Sequence, residues 1–456
     1  MTPGKCHARW RTILGTLLAA MGIGLVAVGN CSAADVQFYS VLKGEYYMQT
    51  NNGPPVLRPF RPYFFRASVL GASNNSLTMA TYNLPSGITR PVFPSSIIGP
   101  YLGRLYQWQE RPSSKSSLDS NYRNGTYTFN LMTRNDGTKN TTLNLAGDQY
   151  PSVPRLTNWP DAQHIDPQAD FELGWEPMSG GTTNDFIELI IHNSTGIVFR
   201  TGFWLGESNA LSGTATGVRI PAKTLQPSRL YLGKLLFQKT VSTATNYAFG
   251  NGGYARQTDF YLATVGAETE TPPDVIRFFP PDGAANVPVN VQVAVEFDRP
   301  MGPGFNVAMI GTTNSVQHRF SADKRTCYVF SSYPWPAGQT VTFCFNSLDG
   351  MLSFGDSNGN VMLPDRTVRL SFSSSTLPTN AVSPVFASPA LISGQTLKLT
   401  FMGEAFRGYC LQISTNLVDW QDYATIYSTT NPISISQPID RTGGCNFFRV
   451  VARPLE

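Results

Sequence analysis

The stretch Val291-Gln292-Val293-Ala294-Val295-Glu296-Phe297-Asp298-Arg299-Pro300-Met301 decides the fold class of this chain. Its large apolar residues fall at 291, 293, 295 and 297, so an extended strand carries them all on one face and turns Gln292 and Glu296 to water. Pro300 then removes a backbone donor and stops the ladder. The same period of two recurs on both sides. Tyr127, Phe129 and Leu131 alternate with polar residues, Asn135-Asp136-Gly137 turns the chain, and Leu143 and Leu145 resume the alternation. An Asp-Gly pair between alternating runs marks a hairpin, because Gly accepts positive φ. Phe171, Leu173 and Trp175 repeat the pattern, as do Val341, Phe343 and Phe345. Pro or Gly interrupts most windows longer than about ten residues, so helical periodicity is scarce. The reading is all-β, with tandem β-sandwich modules.

The chain has 456 residues, enough for three or four domains at ~100–150 residues each. Charged residues make up 14% and aromatics 12%, too apolar and aromatic for a disordered chain. Glycine and proline, 40 and 33 residues, suit many short strands joined by turns. Lys5, Arg9 and Arg11 account for most of the formal charge of +4. A body near neutrality excludes nucleic acid as the partner, since phosphate binding needs a concentrated basic surface.

Those three cations, with His7, precede an apolar run from Ile13 to Val28 and then Asn30-Cys31-Ser32-Ala33-Ala34-Asp35. A charged start, an apolar stretch and small residues at its end form a secretory signal peptide, residues 1–34, cut after Ala34. An uncleaved anchor is the alternative, but the run falls short of the roughly 17–25 residues of a span. A lipoprotein site at Cys31 is disfavoured by Asn30 before it. No other segment is long and apolar enough to cross a bilayer as a helix. The expected location is secreted, at the cell surface or in the periplasm.

Pro- and Ser-rich stretches divide the remainder into 35–150, 151–267, 272–372 and 390–453. The first piece is a β-sandwich of unassigned family. In the second, Trp175 lies on an early strand and Leu225-Gln226-Pro227-Ser228-Arg229-Leu230-Tyr231 follows the Leu-x-Pro-x-x-x-Tyr pattern of a tyrosine corner, so this piece resembles a fibronectin type III module. The resemblance implies that the Tyr231 hydroxyl bonds a backbone group upstream. The third piece carries Pro281-Asp282-Gly283-Ala284, Val287-Pro288-Val289-Asn290, the opening stretch, Pro336-Ala337-Gly338-Gln339 and Asp356-Ser357-Asn358-Gly359-Asn360. These resemble the bacterial Ig-like domain of the S-layer (SbsA) type, with Val341 where that pattern usually has Tyr. The fourth piece, through Tyr409 to Ile413, Ser414 to Trp420 and Phe447-Phe448-Arg449-Val450, resembles a short β module at the C-termini of large secreted bacterial proteins.

Four cysteines follow the leader: Cys327, Cys344, Cys410 and Cys445. Their spacing is not that of a zinc site. Cys344 lies opposite Val341, Phe343 and Phe345, and Cys410 opposite Tyr409, Leu411 and Ile413. Outward cysteines on neighbouring strands in an oxidising compartment are disulfide candidates, with unbridged thiols as the alternative. Asp356, Asn358 and Asn360 place oxygens at alternate positions, as half of a calcium loop does, but no closing Glu follows; the competing reading is a plain turn. No other cofactor is indicated. Trp108, Tyr106 and Trp204 are candidates for stacking on a sugar ring, against the competing reading of ordinary packing.

Catalytic signatures are few. His164, His192 and His318 are scattered, and no nucleophile elbow or phosphate loop is present. Asp161, Asp166, Asp170, Glu172 and Glu176 form the densest acidic stretch, with the last three opposite Phe171, Leu173 and Trp175, as on a solvated face. The expectation is a non-catalytic modular protein for adhesion, polysaccharide binding or surface assembly. The alternative is a carbohydrate-active enzyme with a catalytic N-terminal domain and accessory Ig-like modules. Sandwiches host both.

Overall fold

The computed structural model describes residues 34–94, 104–266, 271–346, 353–362, 364, 366–376, 383–387, 391–393, 396–428, 430–438 and 447–452. The expected leader up to residue 33, and Cys445, lie outside the described residues. Nearly every described element is a strand; the exceptions are the helix Lys115–Asn121, N-capped by Ser114, and a single 3-10 turn.

The sequence reading makes 35–150 and 151–267 two independent beads. The structure joins them in one thirteen-stranded sheet. Val36–Gln49 is the seam. It pairs antiparallel with Tyr63–Gly71 and parallel with Phe249–Ala263, in register from Phe38 with Phe249 to Gln49 with Phe260. The sheet curls so that the Thr138–Leu145 strand approaches Leu230–Ala244, where Asn144 N donates to Ser242 Oγ at 3.0 Å. Inside the curl sit Tyr39, Val41, Phe65, Tyr82, Phe129, Leu143 and Tyr254. The Asn135-Asp136-Gly137 turn closes the expected hairpin, with Gly137 at φ 71°.

Beyond the seam, Phe186–His192 extends the sheet, and the short pair Phe171–Gly174 and Gly217–Ile220 covers a second core. Trp175 lies in that core and donates Nε1 to Ala215 O at 2.9 Å. The Tyr231 hydroxyl accepts from Gln226 N at 2.7 Å, closing a corner between the sheet layers.

The third piece is a sandwich. Val275–Phe279, Val293–Phe297, Thr326–Ser331 and Val316–Phe320 form one sheet; Ala284–Val287, Arg366–Phe372, Thr340–Phe345 and Val307–Ile310 form the other. Val293, Val295 and Phe297 meet Val341, Phe343, Val368 and Leu370 between them. Trp335 plugs this core and donates Nε1 to Val291 O at 3.0 Å. The fourth piece buries Leu397, Leu399, Phe401, Tyr409 and Leu411, and its Tyr427 stacks on Phe279 at 4.5 Å.

The cysteine expectation needs correction. Cys327 and Cys344 are buried thiols, with no disulfide between them. Cys327 pairs with Val295 and Val329 with Val293, so Cys327 shares their inward face. Cys344 sits on the outer face of the opposite sheet, as parity required, and the backbone of that sheet separates the two sulfurs. Burial pushes the Cys327 thiol well above its ordinary pKa. Cys410 points away from Tyr409 and Leu411, as expected, but that side is covered and the residue is buried. Parity names the side a residue faces; it does not say whether that side is covered.

Candidate functional site

Trp108 and Tyr106 lie on Leu105–Glu110, where Trp108 pairs with Ala67 and Tyr106 with Val69. They therefore share the inner face of the curled sheet. Trp108 sits at its rim, donating Nε1 to Tyr122 Oη at 3.1 Å, with Arg90 5.7 Å above its ring and Phe93 6.2 Å away. Phe93 is 54% exposed. Tyr106 donates its hydroxyl to Leu77 O at 2.9 Å. Trp204 is elsewhere. It stacks on Phe38 at 5.8 Å and lies 5.6 Å from Phe249, in a cluster with Leu70 and Leu105, on the opposite face of the same sheet. Its ring folds back over its own loop, where a Cβ on Gly206 would fall 1.7 Å from it. The three residues do not form one platform. What remains open to a ligand is the Trp108–Phe93–Arg90 rim.

Asp356 and Asn360 are buried, and only Asn358 of that trio is exposed. Asp356 Oδ1 accepts from Asn358 N and Asn360 N at 2.8 and 3.0 Å, and Oδ2 accepts from Asn360 Nδ2 at 2.8 Å. Asn360 turns its own oxygen away, to accept from Leu230 N at 2.9 Å. Ser194 N donates to Gly359 O at 3.1 Å, and the Tyr261 hydroxyl to Val361 O at 3.1 Å. The side-chain oxygens of Asp356 and Asn360 are thus engaged by N–H groups of the loop and of the neighbouring sheet. The loop is a turn and also the joint between the third piece and the large sheet. Gly355 fits there because a Cβ would lie 2.3 Å from Ser194 Cβ. Among the described residues, no group of three or more His, Cys, Asp or Glu is placed to hold a metal ion.

Beside this joint lies a small crevice lined by Leu232, Lys234 and Asp259 of the sheet, by Arg58, and by Asn346, Ser353, Val361 and Met362 of the third piece. Arg58 Nη1 meets Asp259 Oδ2 at 3.1 Å, with both side chains buried. Gln257 Nε2 donates to the other Asp259 oxygen at 2.7 Å. By contrast, the acidic stretch singled out in the sequence is exposed, and two of its members are ion-paired: Asp170 with Arg219, and Glu176 with Arg155 at 2.8 Å.

Sequence reasoning passed over Glu188. It is a lone carboxylate in the apolar run Phe186–His192, and that break in the pattern was the available signal. Its Oε1 is buried without a hydrogen-bond partner. Burial raises its pKa from the ordinary 4.5, against the opposing pull of Arg66 and Arg200. The folded state therefore binds this proton more tightly than the unfolded chain. Glu188 lowers stability as pH rises from about 4.5 through its raised value, and the cost persists at neutral pH. Glu188→Gln is expected to stabilise the fold by about 1–2 kcal/mol at pH 7, with the gain shrinking towards pH 4. Urea unfolding at both pH values checks this; a gain independent of pH contradicts it.

With the third sandwich described, one comparison decides its class. Residues 269–376 match the bacterial Ig-like domain family. No curated protein matches the chain. Among solved structures, the N-terminal part of the bacterial S-layer protein SbsC is 12% identical, covering 41% of this chain and 45% of its own, with a TM-score of 0.19. This chain therefore spans under half of that fragment. A tetra-tandem repeat from the extending region of a large adhesion protein is 11% identical, covering 91% of this chain and all of its own, at 0.16. Latent dimeric PorU from Porphyromonas gingivalis is 11% identical, covering 90% and 44%, at 0.21. Superpositions this poor define no shared arrangement of modules.

Proposed function

We propose that this chain is an exported, non-catalytic bacterial surface or extracellular protein that binds polysaccharide or another cell-surface component. The observation that carries the reading is the joint at Asp356–Asn360. Buried hydrogen bonds hold the Ig-like module against the large sheet, so force or position at one is transmitted to the other. A jointed body of sandwiches suits a part that holds and presents. The acidic candidates for glycoside hydrolysis are exposed, with Asp170 and Glu176 ion-paired, which also favours binding over cleavage. The rim at Trp108, Phe93 and Arg90 offers a half-buried ring beside an exposed one for a sugar face.

The test is incubation of the purified exported chain with a panel of polysaccharides. Retention without new reducing ends is the expected result, with Trp108→Ala weakening retention about two- to tenfold. New reducing ends would replace this reading with the carbohydrate-active enzyme.

A further inference from the structure

Asp35 is clasped on every side. Its carboxylate accepts from Asn135 N at 2.5 Å, Asn135 Nδ2 at 2.8 Å and Asp136 N at 3.1 Å. Its carbonyl oxygen accepts from Ala72 N at 2.8 Å and Ser76 Oγ at 2.7 Å. Its backbone nitrogen donates to Asp136 Oδ2 at 2.7 Å, an oxygen that also accepts from the Tyr247 hydroxyl at 2.8 Å. The residue is 4% exposed. Two carboxylates therefore share one turn, and among the described residues no Lys or Arg forms an ion pair with either. The socket holds acceptors for a cation that the uncut chain does not supply.

We propose that the Asn135–Asp136–Gly137 turn is a socket for the α-ammonium created by proteolytic cleavage between Ala34 and Asp35. A peptidase adds water across that peptide bond. The carbonyl carbon of Ala34 takes the hydroxyl and leaves as a carboxylate, the nitrogen of Asp35 takes hydrogen, and at neutral pH the amine is protonated. The nitrogen already stands against Asp136, so the neutral N–H contact becomes a charge-assisted one without any movement of the chain. Asp35 opens the strand that seams the large sheet, and the same turn joins the Gly125–Thr133 and Thr138–Leu145 strands. Cleavage thus latches the seam to the hairpin, and the released chain is more stable than one whose start is displaced. The groups facing the new amine are Asp136, the Asp35 carboxylate and Tyr247. Lys139 lies 5.4 Å from the Tyr247 ring, and Arg104 is turned to Gln37 and Gly71.

The sign of the pH dependence follows. An α-ammonium ordinarily titrates near 7.7–8.0 and later when a carboxylate holds it, so the gain is complete below that range and is lost at high pH. The intact mass of the chain exported with its own leader should correspond to a start at Asp35; any other start overturns the proposal. A chain carrying one extra Gly before Asp35 should melt about 2–4 °C lower at pH 7. That difference should vanish at pH 10 and in an Asp136→Asn background. Equal melting of the two chains at pH 7 overturns the proposal, as does a difference that persists at pH 10. The pH comparison uses the unsubstituted turn, so it decides the matter even if the Asp136 variant fails to fold. None of these readouts depends on what the protein binds.

Discussion

Asp259→Ala is expected to lower the unfolding free energy by about 3–5 kcal/mol, because it leaves the Arg58 guanidinium buried without its carboxylate. Arg58 reaches Asp259 from a segment far away in sequence, against the face of the sheet where Lys234 pairs with Asp259. Its guanidinium also lies 5.4 Å from the Tyr46 ring, so a large desolvated side chain is held there by several contacts. Removing one charge exposes the desolvation cost of the other; removing both does not. The double variant Arg58→Met with Asp259→Leu should therefore recover most of the loss. Urea unfolding of the three proteins measures this. If the double variant is as unstable as Asp259→Ala, the damage comes from lost packing or the lost Gln257 contact, not from an uncompensated ion.

Asn360→Ala is expected to cost about 2–3 kcal/mol and to uncouple the Ig-like module from the large sheet. One side chain makes both connections. Nδ2 donates to Asp356 inside the loop, and Oδ1 accepts from Leu230 N across the joint. After truncation the buried Leu230 N–H loses its acceptor, and an unsatisfied buried donor carries the full desolvation penalty. Calorimetry should then resolve a separate, earlier transition for the Ig-like module. Asn360→Asp should do the same, since it replaces the donor facing Asp356 with a second carboxylate. A thermogram unchanged in both variants would show that the joint does not couple the two parts, and the proposed transmission of position would fall with it.

Much of the local structure could be read from residue order. The alternation of Val291, Val293, Val295 and Phe297 places those side chains in the core as expected, and Pro281-Asp282-Gly283 turns with Gly283 at φ 79°. The Leu225-to-Tyr231 motif makes its hydroxyl-to-backbone bond. These are short-range consequences of strand parity and turn sterics, and a few adjacent residues suffice to set them.

The candidate site was far less legible. Trp108 and Trp204 both looked available, yet the register of Leu105–Glu110 sends Trp108 to one face while Trp204 packs on the other. Asp356 and Asn360 have the composition of a cation loop, but Leu230 reaches in from the neighbouring sheet to take one of their oxygens. Glu188 and Asp259 gained their importance only when distant parts of the chain covered them, the Ig-like module among them for Asp259.

Residue order alone determined the all-β class, the strand faces, the hairpin turn and the presence of an Ig-like module, because alternation and turn chemistry act over a few neighbouring residues. Only the tertiary structure decided that Val36–Gln49 pairs with Phe249–Ala263, that Cys327, Cys344 and Cys410 are covered and that Asn360 joins two parts. Those outcomes depend on which distant surface arrives to exclude water, and the period of a strand carries no record of what lies against its other face.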